Sequence, residues 1–218
     1  MTVKQETLYV DPDTAQAIDR ALKEPVLDKY EKIVFTAKFD DGKEMDIKCC
    51  DAEEEPAWTE AVLFDSNGNE LACSEVGEDF FGEWEIEYED ITYKADVRRE
   101  KWLYRLEAVS PDNGLWYNSD NEYVWGCRDC KGDAKNLPMG YDARYHIDGK
   151  NWFSSCSNKE DLLHWYSKED AEWLLEHGFV FTRYLARDYH EFDKETVFLK
   201  ETAAKREVID FLTLFEEN

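Results

Sequence analysis

The cysteines of the C-terminal half are the first residues whose spacing suits a chemical task. Cys127 and Cys130 form a Cys-x-x-Cys pair, and His146 and Cys156 follow them. Two thiolates at this spacing can share one tetrahedral zinc ion, which a Cys₃His set would complete. However, the later two residues lack tight spacing, and no βαβ pattern surrounds the pair as a redox dithiol would require. We therefore expect reduced loop thiols, and we predict neither a metal nor another cofactor.

The histidines are a second group of residues that could do chemistry, since a histidine can act as a general base. They are His146, His164, His177 and His190. The sequence has no Gly-x-Ser-x-Gly motif, no His-Glu-x-x-His motif and no Gly-Lys-Ser/Thr phosphate loop. We expect these histidines to be structural and predict that the protein is not an enzyme. An enzyme of an unrecognised type remains the second alternative.

Acidic and apolar residues alternate strictly in the stretch from Glu83 to Glu89. This period of two is typical of a β-strand, so alternate residues share one face. We call the acidic face the carboxylate row; it consists of Glu83, Glu85, Glu87 and Glu89. Same-face residues lie about 6.7 Å apart along a strand, whereas each DNA strand carries one phosphate per about 3.4 Å. Imitation of DNA would therefore need further carboxylates across the sheet, for which the candidates are Glu44, Asp46, Glu60 and Glu70.

Negative charge is concentrated in the N-terminal part of the chain. The 51 acidic and 26 basic residues give a net charge of -25. Residues 1–100 hold 28 acids and 11 bases, a net charge of -17, which leaves -8 for the remainder. Such a surface, including Glu53, Glu54 and Glu55, repels nucleic acid and anionic membranes and attracts a basic partner. The simpler alternative is that the acidic face only improves solubility.

A long stretch rich in aromatic residues and turn signals covers residues 110–153. Ordered loops of this length are often functional. Its aromatic cluster contains Trp116, Tyr117, Tyr123 and Trp125. Aromatic walls suit either specific contacts with a protein partner or a nucleotide-like ligand, whose phosphate Arg128 and Arg144 would bind.

The N-terminal elements that would position the carboxylate row have clear local signals. Asp11 and Pro12 are typical of a helix start, and Pro25 of its end. Asp40–Gly42 and Asp65–Asn69 separate alternating runs and predict two β-hairpins. The carboxylate row would add a fifth strand to this antiparallel meander, with residues 92–97 as its continuation after a short break. The charge density falls near residues 98–100, so we place a domain boundary between residues 99 and 100.

The second predicted domain, residues 100–218, opens with a strand over residues 102–106. Capping boxes at Ser157–Glu160 and Ser167–Asp170 predict two helices, the second ended by Gly178. Residues 179–185 and 196–200 resemble a closing hairpin, and the apolar stripe between residues 203 and 215 predicts a final helix. The expected fold class is α+β, as two small units that each pack helices on an antiparallel sheet.

The chain has no N-terminal apolar run with a cleavage site and no apolar stretch of membrane-spanning length. With six cysteines and no such signal, a cytosolic protein with reduced thiols is the expectation.

Two parts of the sequence also resemble known protein families. The segments Ile33–Cys50, Pro56–Phe64 and Gly82–Tyr88 resemble small acidic proteins carried by mobile elements of gut Firmicutes. Leu103–Glu107 and the segment from Ser157 to Phe179 are similar to phage-type proteins. Neither family has an assigned activity. The resemblance thus implies a prophage or conjugative element as the setting and transfers no site residues.

These observations predict a non-enzymatic inhibitor made by a mobile element, of the anti-CRISPR kind. The carboxylate row would occupy the basic nucleic-acid channel of a host nuclease or effector complex, and the aromatic cluster would add specificity. We expect no direct contact with nucleic acid or membrane. The first alternative is a protein that binds or sequesters a nucleotide signal.

Overall fold

The structure is a computed structural model that describes residues 2–24, 32–50, 56–75, 77, 79–109, 130–136 and 142–215. The chain divides into two compact units, Met1–Glu100 and Lys101–Asn218. This division lies one residue from the boundary expected between residues 99 and 100. The predicted α+β fold class is confirmed, because each unit combines small sheets with short helices.

The described residues of the first unit form seven strands and one α-helix. The elements are β1 (Thr2–Val10), α1 (Pro12–Ala21), β2 (Lys32–Lys38), β3 (Glu44–Cys50), β4 (Trp58–Phe64), β5 (Glu70–Cys73), β6 (Gly82–Tyr88) and β7 (Ile91–Arg99).

The predicted first helix is confirmed as α1. The Asp11 carboxylate caps it by accepting hydrogen bonds from the backbone N–H groups of Asp13 (3.1 Å) and Thr14 (3.0 Å). These N–H groups have no partner within the helix, so the cap stabilises its first turn. The helix buries Ile18 and Ala21 and ends at Ala21, before the proline expected to end it.

Both predicted hairpins are also confirmed, within a four-stranded antiparallel sheet of order β2-β3-β4-β5. Gly42 (φ 81°) and Gly68 (φ 80°) adopt the left-handed backbone conformation that glycine permits at turns. The Asp65 carboxylate fixes the second turn by accepting hydrogen bonds from the backbone N–H groups of Asn67 (2.8 Å) and Asn69 (2.9 Å).

The prediction that the carboxylate row belongs to this same meander is wrong. Strand β6 lies in a second sheet of order β1-β7-β6. β6 pairs antiparallel with β7 through the two-residue turn Glu89–Asp90, so β7 is the neighbour of β6 rather than its continuation. β1 pairs parallel with β7, from Thr2 opposite Ile91 to Val10 opposite Arg99. Strand β1 was not predicted from the sequence, because its partner lies about 90 residues away and the pairing leaves no local signal.

One hydrophobic core underlies both sheets of the first unit. β1 lies beside β2, and β5 lies beside β6, so the two sheets adjoin at their edges. The core joins Ile18 of α1, Met45 and Ile47 of β3, and Tyr93 of β7, all of them fully buried. We call the side of β1-β7-β6 that is turned away from the core the outer face.

The described residues of the second unit form six strands, two α-helices and several short 3-10 turns. The strands and helices are β8 (Lys101–Ala108), β9 (Phe153–Ser155), α2 (Lys159–Trp165), α3 (Lys168–Glu176), β10 (Phe179–Ala186), β11 (Tyr189–Phe192), β12 (Glu195–Phe198) and β13 (Lys205–Ile209). The 3-10 turns are Asp133–Asn136, Ala143–Tyr145, Ile147–Gly149, Lys200–Thr202 and Phe211–Phe215.

Two predictions for the C-terminal region are wrong. The expected closing hairpin does not form, because β10 lies in the sheet β13-β10-β8 and β12 lies in the sheet β11-β12-β9. The expected final helix is instead the edge strand β13 followed by the 3-10 turn Phe211–Phe215. Short apolar segments fit both periods, and here the free edge of β10 favours a strand. The Phe211 ring still reaches the core, stacked 3.6 Å from the Phe181 ring.

The two predicted helices of this unit are confirmed as α2 and α3. The cap of α2 is Asn158 rather than Ser157, since the Asn158 side chain accepts the backbone N–H of Asp161 (2.7 Å). In α3 the predicted capping box of Ser167 and Asp170 is present in full. Gly178 (φ 81°) follows its end, as expected.

Asp170 also links α3 to the loop that contains Lys131 and Gly132. This loop lies so close to the backbone of Trp165 that position 132 requires a glycine. Its carboxylate accepts the backbone N–H groups of Lys131 and Gly132, each at 2.7 Å. A Cβ atom at Gly132 would lie 2.3 Å from the backbone oxygen of Trp165, far inside van der Waals contact. The position therefore excludes every side chain.

We predict that Gly132→Ala lowers the free energy of unfolding of the second unit by at least about 2 kcal/mol, because two backbone segments must move apart. Chemical denaturation followed by tryptophan fluorescence measures this loss. Lys131→Ala is the matched control and should change stability little, since its side chain is exposed. Equal stability of the two variants would contradict the prediction.

Candidate interaction surfaces

The alternation predicted for the carboxylate row is present in β6. Ile86 is buried, and Trp84 and Tyr88 pack against the core. On the outer face, the side chains of Glu83 and Glu85 are 54% and 45% exposed, and Glu87 is also exposed. Because the strand is hydrogen-bonded to β7 and anchored in the core, these carboxylates project from a fixed backbone.

Glu89 does not belong to the strand. It lies in the β6–β7 turn with φ 48°, followed by Asp90 with φ 63°. Two successive positive φ angles are typical of the tight hairpin turn that usually uses Asn-Gly. The prediction of four carboxylates along one strand is therefore wrong by one residue: three lie on β6, and Glu89 and Asp90 extend the acidic surface into the turn.

A lysine on β7 partly neutralises the row. Lys94 lies directly opposite Glu85, and its ammonium group contacts the carboxylates of Glu83 (2.5 Å) and Glu85 (2.6 Å). These hydrogen bonds raise the pKa of Lys94 above its usual value, so it stays charged at neutral pH. The row is therefore less negative than the sequence of β6 alone indicates.

The remaining charges of the outer face lie on β7. Asp96 is opposite Glu83, and Arg98 pairs with Asp96 at 2.6 Å. Glu87 lies opposite the uncharged Thr92. The outer face of β6 and β7 thus carries four carboxylates and two cations, a net charge of -2, to which the turn residues Glu89 and Asp90 add two further negative charges.

The carboxylates expected to complete the row across the sheet are on another sheet. Glu44, Asp46, Glu60 and Glu70 belong to the four-stranded sheet β2-β3-β4-β5. Several are engaged there: Lys38 pairs with Glu44 (3.0 Å), and Lys48 pairs with Glu60 (3.6 Å). On the outer face of β6 and β7 alone, the density of charge needed to imitate a DNA strand is therefore not reached.

We predict that Lys94→Gln speeds association with a cationic partner. The change removes the ammonium group that pairs with Glu83 and Glu85, so the row becomes more negative. A lysine decapeptide in stopped-flow measurements at low ionic strength provides a simple probe. Lys38→Gln is the matched control, with the same charge change on the other sheet. Equal rates for the two variants would contradict a special role for the row.

Several candidate residues lie outside the described part of the chain. These are Glu53, Glu54, Glu55, Trp116, Tyr117, Tyr123, Trp125, Cys127 and Arg128. The acidic triplet, the aromatic cluster and the Cys-x-x-Cys pair thus stay predictions.

The described members of the zinc candidate do not form a site. Cys130 and Cys156 are buried in the apolar core of the second unit, while His146 is exposed. Burial raises the pKa of the Cys156 thiol, which disfavours the thiolate that zinc binds. Within the described ranges, no group of three or more His, Cys, Asp or Glu side chains could hold a metal ion.

The other histidines have structural surroundings. His177 follows α3, where its ring stacks 3.7 Å from the Trp173 ring. The ring of His164 lies 3.3 Å from the Asp133 carboxylate, and His190 packs beside Trp152.

Arg144 was expected to bind a phosphate, but two carboxylates already engage it. Its guanidinium contacts Glu195 at 2.7 Å and Asp142 at 3.0 Å. The buried Glu195 also accepts a hydrogen bond from the Tyr145 hydroxyl at 2.6 Å. This arrangement links the turn Ala143–Tyr145 to β12 and is structural.

A group of charges in the second unit was not predicted from the sequence. The fully buried carboxylate of Glu107 accepts hydrogen bonds from Tyr184 (2.8 Å) and Lys200 (2.7 Å). Arg206 (2.9 Å) and Arg105 (3.3 Å) complete the group, which we call the Glu107 cluster. The available signal was that Arg105 and Glu107 share one face of β8 and stand between the apolar residues Leu103, Leu106 and Ala108.

The chain matches no protein-family model, no curated protein and no solved structure. None of the described helices has the length and apolar character needed to cross a membrane.

Proposed function

We propose that the chain is a non-enzymatic interaction protein whose first unit binds a basic surface of a nucleic-acid-handling protein. The observation that carries this proposal is the exposed carboxylate row on β6, held in place by β7 and the core. The net charge of -17 on residues 1–100 acts in the same direction. A basic nucleic-acid channel is the kind of surface that such charge attracts.

The charges of the row support complementarity to a basic groove rather than a copy of DNA. The carboxylates Glu83, Glu85 and Glu87 repeat about every 6.7 Å, which is half the density of phosphates along one strand. Lys94 reduces the charge further. Exposed charges of this kind mainly raise the rate of association, and the affinity must come from additional, desolvated contacts.

The narrower proposal is an anti-defence inhibitor made by a mobile element, with a host nuclease such as a CRISPR effector as its cytosolic partner. It rests on the resemblance of the sequence to proteins of mobile elements and on the acidic surface. Direct binding to nucleic acid or to anionic membranes is disfavoured by the same charge.

Affinity capture from a bacterial lysate at low and moderate salt tests this function. The bait is the full chain, compared with the double variant Glu83→Lys/Glu87→Lys. Reversal at Glu83 removes one of the two carboxylates that Lys94 contacts and places a cation opposite Asp96. Lys94 keeps its pair with Glu85, and both reversed positions are exposed, so the fold should tolerate the change. We expect one basic nucleic-acid-handling protein that the wild type retains and the variant loses. Equal recovery by both baits would contradict the proposal.

A further inference from the structure

We propose that Asn67, in the turn between β4 and β5, is a site of spontaneous deamidation, at which water converts the asparagine into aspartate and isoaspartate. The turn Asp65–Asn69 belongs to the four-stranded sheet of the first unit and not to the carboxylate row. The proposal is therefore independent of the proposed partner.

The reaction uses the backbone nitrogen of the residue that follows the asparagine, here Gly68. This nitrogen attacks the side-chain amide carbon of Asn67, and the bond from that carbon to the amide nitrogen breaks. Ammonia leaves with the proton of the Gly68 nitrogen, and a five-membered succinimide ring remains. Water then opens the ring at one of its two carbonyl groups, which gives aspartate or isoaspartate. Water is the only co-reactant, and no oxidation takes place.

Glycine at position 68 leaves the attacking nitrogen sterically free, because it has no side chain. Apart from its neighbours in the chain, no heavy atom lies within 4 Å of the point where a Cβ atom of Gly68 would be. Asn67 and Gly68 are also exposed. Water can therefore reach the ring, and ammonia can leave.

The other asparagines that the structure describes lack this combination. Each is followed by a residue with a side chain; they are Asn69, Asn136, Asn151 and Asn158. Asn69 is further held by the Asp65 carboxylate, which accepts its side-chain N–H at 2.9 Å. Asn113 also precedes a glycine but lies outside the described residues. Asn69, only two positions away, is thus an internal reference for Asn67.

The hydrogen bonds of Asp65 control the rate of the reaction. Its backbone oxygen accepts the N–H of Gly68 at 3.0 Å, which holds the attacking nitrogen while the turn is closed. Its carboxylate accepts the N–H groups of Asn67 and Asn69 and stabilises the closed turn. Exposed turns open locally at a small cost in free energy. The ring therefore forms from the open turn, and a change that loosens the turn speeds the reaction.

Deamidation would change both the charge and the length of the turn. A carboxylate at position 67 adds a negative charge close to Asp65, and like charges at this distance repel each other. Isoaspartate also adds a methylene group to the main chain, in a turn whose length fixes the register of the hairpin. Since β5 is the edge strand of its sheet, the expected result is weaker pairing of β5 with β4.

Peptide mapping by mass spectrometry, after incubation of the full chain at mildly alkaline pH, tests the site. We expect a mass gain that corresponds to replacement of the amide by a carboxylate, located by fragmentation at position 67 and not at Asn69. Aspartate and isoaspartate should both appear, because the ring opens at either carbonyl. Asn67→Gln is the control and should keep its mass, since its longer side chain would have to form a six-membered ring. No gain at position 67, or an equal gain at Asn69, would overturn the proposal.

Asp65→Ala should speed the conversion of Asn67 at least about fivefold, because two hydrogen bonds that keep the turn closed are lost. Ser66→Ala changes an exposed residue of the same turn and is the matched control. It should convert at the wild-type rate. If Asp65→Ala converts no faster than Ser66→Ala, opening of the turn does not govern the reaction, and this result would also overturn the proposal.

Discussion

Glu107→Gln is expected to lower the free energy of unfolding of residues 101–218 by about 3 kcal/mol. Gln keeps the length of the side chain and can still accept the Tyr184 hydrogen bond. It removes, however, the only carboxylate that Arg105, Lys200 and Arg206 share in the Glu107 cluster. Breaking a buried ion pair from one side is costly because the cations that stay buried, here Arg105 and Lys200 at 7% and 14% exposed, lose the carboxylate that offsets their desolvation. Against a typical stability of about 5–15 kcal/mol, this is a large loss.

Hydrogen–deuterium exchange measures this loss with an internal reference. Backbone amides of β8 and β10 should exchange about a hundredfold faster in the variant, since each 1.4 kcal/mol corresponds to a factor of ten. Amides of β3 and β4, in the other unit, should not change. Glu207→Gln is the matched control, because Glu207 is also paired, to Arg183 at 2.6 Å, but lies nearer the surface. Equal acceleration in both variants would contradict the special role of Glu107.

The double reversal Glu83→Lys/Glu87→Lys is expected to slow association with the basic partner at least about tenfold at low ionic strength. The salt dependence of the rate should become flatter, because fewer charges steer the encounter. Dissociation should change less, since exposed charges at the rim act mainly on association. Surface plasmon resonance at two salt concentrations separates the two rate constants.

A control with the same net charge shows whether position matters. Glu172→Lys/Glu176→Lys changes the charge by the same amount on the exposed side of α3. We expect it to associate as the wild type does. If both double variants slow association equally, the row has no special role and the total charge of the chain accounts for the attraction.

Elements with strong local signals could be predicted from the sequence. The cap at Asp11, the Asp40–Gly42 turn and the Ser167–Asp170 capping box each depend on residues within a few positions of one another. In each case the sequence pattern and the hydrogen bonds that it predicts lie within the same short segment.

The pairing of distant strands could not be predicted in this way. β1 pairs with β7, which lies about 90 residues later in the sequence. The turn Glu89–Asp90 between β6 and β7 lacks the glycine or asparagine that usually marks a turn of this type. Unless that turn is recognised, nothing in the sequence places Lys94 opposite Glu85. The row could therefore be predicted as a strand face, but its neutralisation could not.

The Glu107 cluster escaped prediction for the same reason. Glu107 meets Tyr184 across 77 residues and Arg206 across 99, from three adjacent strands of one sheet. Such a meeting depends on the strand order β13-β10-β8, and the expected final helix had removed β13 from that sheet. An error in one element thus concealed the partners of Glu107, the most buried carboxylate in the part of the chain that the structure describes.

We propose that the carboxylate row competes with nucleic acid for a basic channel of the partner. Fluorescence anisotropy of labelled nucleic acid on the captured partner, titrated with the full chain, tests it most directly. We predict that the wild-type chain displaces the nucleic acid, and that Glu83→Lys/Glu87→Lys does so only at a much higher concentration while Glu172→Lys/Glu176→Lys matches the wild type. Nucleic acid that stays bound while the chain also binds the partner would contradict the claim.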